Sequence, residues 1–558
     1  MTTIKNPIIS GMAPDPSVIR VGEDYYVATS TFHWTPGIPI YHSKNLANWE
    51  LITHALSKDE VNLQGTDTPA GIWAPNLTYD NQTKKFWLTY CHMVNMGGRE
   101  FNANSYTMWS DNICGPWSEP IYLTSIGIDP SIFHDTDGKQ YLSILEWESR
   151  QGYPSPGTIV VAEVDLETGK ILSDWHRITQ GFTTRGCVEA PHIYKNDSYY
   201  YMILASGGTG YAHGVEVGRS KNIFGPYESH PSNEPIITSS PAHLFSLGDP
   251  DAGHFEMYNP LSNIQKSGHG SLVQTDSGEW YIFHLMSRPL TNKLLNPLGR
   301  ETAIQKVEWN KDGWLQMSDG SNLAKEYVEI PYQITNQVTE STDDINEEFS
   351  KQELSKRFMT PYHFQNNKWV SLTENPGYLR IYGKDSLFSR VTPSIMATTA
   401  TSFLYEVRTK LNFKPTHYSE KAGLGLYYDS NNWLFVNVHY SELTNDIRLG
   451  LSQAKLGERI DFIHETISIF EESIALKIKY NYGNADIFYR MNDSDDWKLF
   501  KEKIDVSYLS DEGVNGVPGE IGGFTGLFNF IGCVDSYQHQ SYCDFSYYCV
   551  NNMLLEEN

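Results

Sequence analysis

The chain has 558 residues, 40% of them hydrophobic and 13% aromatic, so one ordinary core is too small for it and two or more well-filled domains are expected. A formal charge of -25 gives a surface that repels nucleic acid and anionic lipid, which excludes both as expected partners and leaves a neutral substrate undisfavoured. No run approaches the roughly 20 apolar residues of a membrane helix, and 35 Tyr with 14 Trp suit both strands and the stacking of flat rings on sugar faces.

The first residues, Met1-Thr-Thr-Ile-Lys-Asn-Pro7, lack the basic-then-apolar pattern of a secretory signal. The six cysteines (Cys91, Cys114, Cys187, Cys533, Cys543 and Cys549) include no Cys-x-x-Cys, so reduced thiols in a cytoplasmic protein are the simplest reading, with a Cys543–Cys549 bridge as the alternative.

From here to about residue 325 one unit recurs five times. Asp15-Pro-Ser-Val-Ile runs through Gly22 to Tyr25-Tyr-Val, and Ala74-Pro-Asn-Leu-Thr runs to Phe86-Trp-Leu. Asp129-Pro-Ser-Ile-Phe runs through Gly138 to Tyr141-Leu-Ser, Ala190-Pro-His-Ile-Tyr to Tyr199-Tyr-Tyr-Met, and His269-Gly-Ser-Leu-Val through Gly278 to Trp280-Tyr-Ile. The starts lie 59, 55, 61 and 79 residues apart. Each unit reads as a turn, an inward strand, a hairpin and a return strand, and helical periodicity is nearly absent. Repeats at this spacing predict a five-bladed β-propeller over residues 1–325, since no small sheet buries both faces alone. A second echo, ending at Trp49, Trp117 and Tyr227, predicts aromatic packing between blades at their outer edge.

Residues 326–346 turn polar and acidic without strand alternation and are read as a linker. Beyond them Phe403-Leu-Tyr-Glu-Val-Arg-Thr, Gly423-Leu-Gly-Leu-Tyr-Tyr, Trp433-Leu-Phe-Val-Asn-Val and Leu476-Lys-Ile-Lys-Tyr alternate between turns with no five-fold repeat. An antiparallel β-sandwich over 347–558 fits this pattern, making the whole chain all-β.

The innermost strands of a propeller converge on its axis, where Asp15, Ala74, Asp129, Ala190 and His269 share one register and Glu189 precedes Ala190. Three carboxylates and a histidine then meet in one cavity. Glycoside cleavage needs two carboxyl groups with separated pKa values, one to protonate the leaving oxygen and one to activate water or attack carbon. A third acid suits a modulator of the group that must stay protonated. Each acid taken singly fits a turn or strand edge as well; the shared register favours chemistry. Spacing alone does not assign the roles.

Specific stretches go further. Pro14-Asp-Pro-Ser17, Thr29-Ser-Thr-Phe32, Gly71-Ile-Trp-Ala-Pro75, Asp129 with Ser131-Ile-Phe-His-Asp, Glu189-Ala-Pro-His192, Gly268-His269, Asn296-Pro-Leu-Gly-Arg-Glu-Thr-Ala-Ile-Gln-Lys306 and Gly522-Gly-Phe-Thr-Gly526 together resemble the β-xylosidases of glycoside hydrolase family 43. The resemblance implies Asp15 as general base, Glu189 as general acid and Asp129 as the residue that raises the acid's pKa and orients it. It implies inversion at the anomeric carbon, with the Asp15 and Glu189 carboxyls about 6.5–9.5 Å apart. It further implies that Arg300 binds sugar hydroxyls and that Phe32 and Trp73 wall the terminal subsite. Trp147 is the candidate to carry the leaving sugar. Phe524, from a concanavalin/lectin-like sandwich, closes the pocket.

His269 is expected beneath the sugar. Some members of the resembling family use it to help hold a divalent cation. Nothing in the sequence supplies a dense ligand set, so a structural role is the reading and calcium near His269 the alternative, with no cofactor required. The segment departs from the family in Ala13 before Pro14 and in Ala190 after Glu189.

The reading is an exo-acting β-xylosidase that cuts xylobiose and short β-1,4-xylo-oligosaccharides in the cytoplasm, working as a homo-oligomer (dimer or tetramer). An α-L-arabinofuranosidase and a non-catalytic glycan-binding propeller are the alternatives.

Overall fold

The structure is a computed structural model that describes residues 2–57, 61–153, 156–240, 257–334, 343–516 and 522–553. Among these residues the only helical element is a short 3-10 turn at Gly97–Arg99, and no helix is long and apolar enough to cross a membrane.

Five antiparallel sheets follow one another around an axis, each begun by its innermost strand. These strands are Ser17–Val21, Gly71–Asp80, Gly127–His134, Glu189–Asn196 and Gln265–Gln274. The expected repeat is a backbone event as well as a sequence pattern. Asp15, Ala74, Asp129, Ala190 and His269 take left-handed φ values of 57°, 43°, 57°, 51° and 54°. In the last four the ladder slips at that point, between Trp73 and Asn76, Ile128 and Ser131, Glu189 and His192, and Gly268 and Ser271. A left-handed residue with a Cβ costs on the order of 1–3 kcal/mol. Repeating that strain in all five blades implies that the surroundings impose it, and bulges of this kind re-aim side chains at strand ends.

Neighbouring blades are stitched two to four residues further on. The Leu77 N–H donates to Ser17 Oγ (2.9 Å), the Ile132 N–H to Asn76 Oδ1 (2.9 Å), the Leu272 N–H to Tyr194 Oη (2.8 Å) and the Val18 N–H to Ser271 Oγ (3.1 Å). The last of these closes the ring, joining blade 5 to blade 1. Buried apolar clusters fill the gaps between sheets, and at the outer edge Trp49 meets Phe283 edge-on at 5.6 Å, the packing expected of that echo.

The segment read as a linker is not all linker. Tyr327–Ile330 is a strand that pairs antiparallel with Thr2–Lys5, and Asn6 Nδ2 donates to the Ile304 and Lys325 carbonyls, so the N-terminus latches onto blade 5. Polar composition hid a two-stranded edge whose inward residues, Ile4, Val328 and Ile330, are buried. Ile345–Glu347 already belongs to the second unit, and 335–342 lie outside the described residues.

That second unit is two packed antiparallel sheets. One is built on Leu404–Asn412, Ile474–Asn481, Asn484–Arg490 and Tyr542–Asn552, the other on Glu420–Asp429, Asn432–Ser441, Asp446–Lys455 and Phe528–Asp535. Alternation decides the faces: Tyr405, Val407, Leu411, Leu424, Leu426 and Ile531 enter one shared core. Cys91, Cys114, Cys533, Cys543 and Cys549 are thiols, so the Cys543–Cys549 bridge does not form.

The sandwich is clamped to the propeller. Trp34–Thr35 pairs with Thr360–Pro361, and Trp34, fully buried, stacks on Phe528 with ring centroids 3.6 Å apart. This seam sets where the sandwich loops fall.

Candidate active site

The left-handed positions of blades 1, 3 and 5 carry Asp15, Asp129 and His269, all buried in the axial funnel. Each acid is tied to the next blade. Ser30 Oγ donates to Asp15 Oδ2 (2.6 Å) and accepts the Ala74 N–H (2.7 Å). Asp129 Oδ2 accepts the Ala190 N–H directly (3.1 Å). Asp15 Oδ1 faces two further groups, Arg300 Nη1 at 3.4 Å and His269 Nδ1 at 3.5 Å. Glu189, next to Ala190, is only partly buried and is thus the more accessible member of the Asp129–Glu189 pair.

These surroundings separate the acids. Burial acts to raise the Asp15 pKa, but Arg300, His269 and the Ser30 hydroxyl together outweigh it and hold the carboxyl below its ordinary value. Glu189 is pushed up to about 7, first by burial and then by the charge of Asp15, against the pull of Arg300. Asp129 is pushed up too, by burial first and then by Glu189 and Asp15. The cavity therefore holds one carboxylate that stays ionised and a neighbouring pair that keeps a proton near neutrality. His269, His192 and His213 are all driven toward the neutral form, chiefly by burial.

Three rings gather beside Arg300. Phe32 and Trp73 meet at 6.3 Å, and Phe524 from the sandwich reaches Phe32 at 5.8 Å and Trp73 at 5.9 Å. The Arg300 guanidinium lies 5.5 Å from the Phe32 centroid and 4.7 Å from that of Phe524. Arg300 Nε is buried without a hydrogen-bond partner, a donor available to a bound hydroxyl. The structure thus brings together Asp15, Asp129, Glu189, His269, Arg300, Phe32, Trp73 and Phe524. Trp147 packs on the apolar cluster that includes Phe32 and Trp73. It lies at the same end of blade 3 as Asp129, its N–H donating to the Ile126 carbonyl (3.0 Å), while its ring stacks on Phe101 at 3.9 Å and its Nε1 donates to the Arg99 carbonyl.

Sequence reasoning missed His213. Its ring packs on Gly268, where an added Cβ would fall 1.9 Å from the His213 Cδ2, so only glycine fits ahead of His269. His213 Nδ1 faces the Ser206 carbonyl at 3.1 Å and Nε2 is buried without a partner. No local motif marks it, because Gly268, on which it packs, is 55 residues away in another blade.

A calcium site would take six to eight oxygen ligands. Among the described residues no group of three or more His, Cys, Asp or Glu is placed to hold a metal ion, and His269 turns its Nδ1 to Asp15. The donor set does not fit a protein-built cation cage.

Comparison with known proteins identifies both domains. Residues 4–315 match "Glycosyl hydrolases family 43" and residues 346–551 match "Beta xylosidase C-terminal Concanavalin A-like domain". A protein of Bacillus subtilis (strain 168) named "Beta-xylosidase" is 37% identical over 560 residues, covering 98% of this chain and 99% of that one. "Xylan 1,3-beta-xylosidase" of a Vibrio species is 36% identical, with 98% and 99% covered. The crystal structure of a xylan beta-1,4-xylosidase from Bacillus halodurans C-125 superposes with a TM-score of 0.90 at 35% identity, over 98% of this chain and 100% of that one. Two domains matched end to end, on a funnel of three acids, place this chain in glycoside hydrolase family 43.

Proposed function

We propose that this glycoside hydrolase is an inverting exo-β-xylosidase that releases xylose from the non-reducing end of xylobiose and short β-1,4-xylo-oligosaccharides. The observation that carries the reading is the division of the funnel into an ionised Asp15 beside Arg300 and a proton-holding Glu189 beside Asp129. Asp15 takes a proton from a water as that water attacks C1 of the terminal xylosyl unit. The C1–O bond breaks, and the Glu189 proton passes to the departing oxygen. Asp129, paired with Glu189 and itself pushed toward the protonated form, orients the acid, while the Asp15 charge works against early loss of the Glu189 proton. Arg300 holds sugar hydroxyls through its free Nε–H, and it keeps Asp15 ionised. Phe32, Trp73 and Phe524 supply apolar walls and exclude water. A wall contributed by the sandwich makes the site a pocket, which suits removal of one unit at a time.

The relatives differ in the linkage their names print, so the β-1,4 bond is part of the proposal. So are action in the cytoplasm and assembly into dimers or tetramers. NMR of the xylose first released from nitrophenyl β-D-xyloside tests the reading: α-xylose at early times is expected. First-formed β-xylose, or internal cleavage of xylohexaose, overturns it. Parallel rates on nitrophenyl β-D-xyloside, nitrophenyl α-L-arabinofuranoside and 1,3-linked xylobiose rank the sugar and linkage.

A further inference from the structure

The sugar pocket is assembled from two loops that belong to different domains. One is 296–300, which carries Arg300; the other is 522–527, which carries Phe524. Both hang from one buried acidic pair of the sandwich, Asp511 and Glu512, neither of which touches the reacting groups. Glu512 Oε2 accepts the Asn296 N–H (2.7 Å), and its Oε1 pairs with Lys266 Nζ at 2.5 Å, both side chains being almost wholly buried. Lys266 lies three residues before His269 on the same strand, in a left-handed conformation with φ 56°.

Asp511 takes hold of both loops. Its Oδ2 accepts from Asn296 Nδ2 (3.1 Å) and its Oδ1 from Tyr428 Oη (2.6 Å), and Tyr428 Oη in turn accepts the Thr525 N–H (3.3 Å). The Asp511 N–H donates to the Asn296 carbonyl, and its own carbonyl accepts the Gly522 and Gly523 N–H groups. The loops then meet: the Leu527 N–H donates to the Pro297 carbonyl (2.8 Å), and a Cβ on Gly299 would fall 2.2 Å from the Thr525 carbonyl oxygen.

A buried ion pair costs desolvation and is a poor source of net stability, so its value lies in fixing a geometry. This one fixes the geometry of a site. We propose that Asp511 and Glu512 are positioning residues that couple the sandwich to the sugar pocket, setting the Arg300 and Phe524 loops together and thereby the fit of the terminal sugar. The proposal rests on the glycosidase reading for its kinetic consequence. Asp129 and Glu189 stand outside this network and Asp15 meets it only through Arg300, so loss of the pair acts first on sugar binding.

Two variants test it. Asp511→Ala removes the hinge; Tyr428→Phe keeps the packing and cuts only the branch to Thr525. For Asp511→Ala, KM on nitrophenyl β-D-xyloside is expected to rise about tenfold, the scale of one lost charge-assisted hydrogen bond, with kcat changed little. Amide hydrogen exchange should speed up in both 296–301 and 522–527 and nowhere else in the propeller. In Tyr428→Phe the KM rise is smaller and faster exchange is confined to 522–527. Wild-type KM with unchanged exchange in a folded variant overturns the proposal, as does a fall in kcat at constant KM. If Asp511→Ala does not fold, Tyr428→Phe decides. The exchange measurement needs no turnover, so it judges the coupling even if the wild-type protein fails on xylosides, a result that would count against the glycosidase reading alone.

Discussion

The raised pKa of Glu189 has a thermodynamic consequence that can be separated from catalysis. Glu189→Gln keeps the side chain's size and removes both its charge and its acidic proton. In the folded protein this carboxyl titrates at about 7 against an ordinary 4.5, because burial and the Asp15 charge disfavour the anion. At about 1.4 kcal/mol per pKa unit, that gap corresponds to about 3 kcal/mol. The sign follows from proton binding. The folded state holds its proton more tightly than the unfolded chain, so this group's contribution is intact below pH 4.5 and is lost as pH rises to about 7. Above 7 the wild type carries the full penalty and the glutamine variant does not. Urea denaturation at pH 8 should therefore show the variant more stable than wild type by up to about 3 kcal/mol, relative to the difference between them at pH 4. Turnover on xylobiose should fall by roughly 10²–10⁴, the usual scale for a lost general acid. A stability difference equal at the two pH values would refute the half-buried, charge-opposed acid on which the assignment depends.

Other outcomes follow from the same geometry. The kcat/KM profile on xylobiose should be bell-shaped, with an alkaline limb near the Glu189 pKa of about 7 and an acid limb below the ordinary Asp range, where Asp15 takes up a proton. An acid limb at or above the ordinary Asp value would contradict the influence of Arg300 and His269. Gly268→Ala forces a Cβ into the His213 ring and should cost about 1–3 kcal/mol of stability, measured by thermal or urea unfolding, and lower turnover by moving His269. Phe524→Ala removes a ring from the pocket wall and should raise KM about tenfold, scored by steady-state kinetics. Dialysis against EDTA should leave kcat/KM unchanged; a loss restored by calcium would show a cation role for His269.

The propeller was open to reading because its repeat is local. Each blade restates an inner-strand start and a return strand within some 15 residues, so the register that aligns Asp15, Asp129 and His269 can be counted along the chain. What the count did not carry was the backbone twist that makes the register work, the left-handed residue in every blade. Tyr327–Ile330 escaped because two edge strands of four residues leave too little alternation to stand out in an acidic stretch. Trp147 lies on the expected blade end, and its stacking on Phe101 is a contact between blades that strand spacing does not encode.

Composition and pattern determined the all-β class, the five-fold repeat, the sandwich and the presence of three acids on one axis. These depend on residue types at short, fixed spacings, which a chain displays whether or not it is folded. The resemblance already implied the acids' roles and the Phe524 wall; the tertiary structure alone decided what separates the acids' charges, that Phe524 rests on Arg300, that His213 lies on Gly268, and that Asp511 and Glu512 hold both pocket loops. Each of these joins residues 50 to nearly 300 positions apart and works through burial or direct contact, and a low-dielectric cavity exists only once the blades and the sandwich have closed around it.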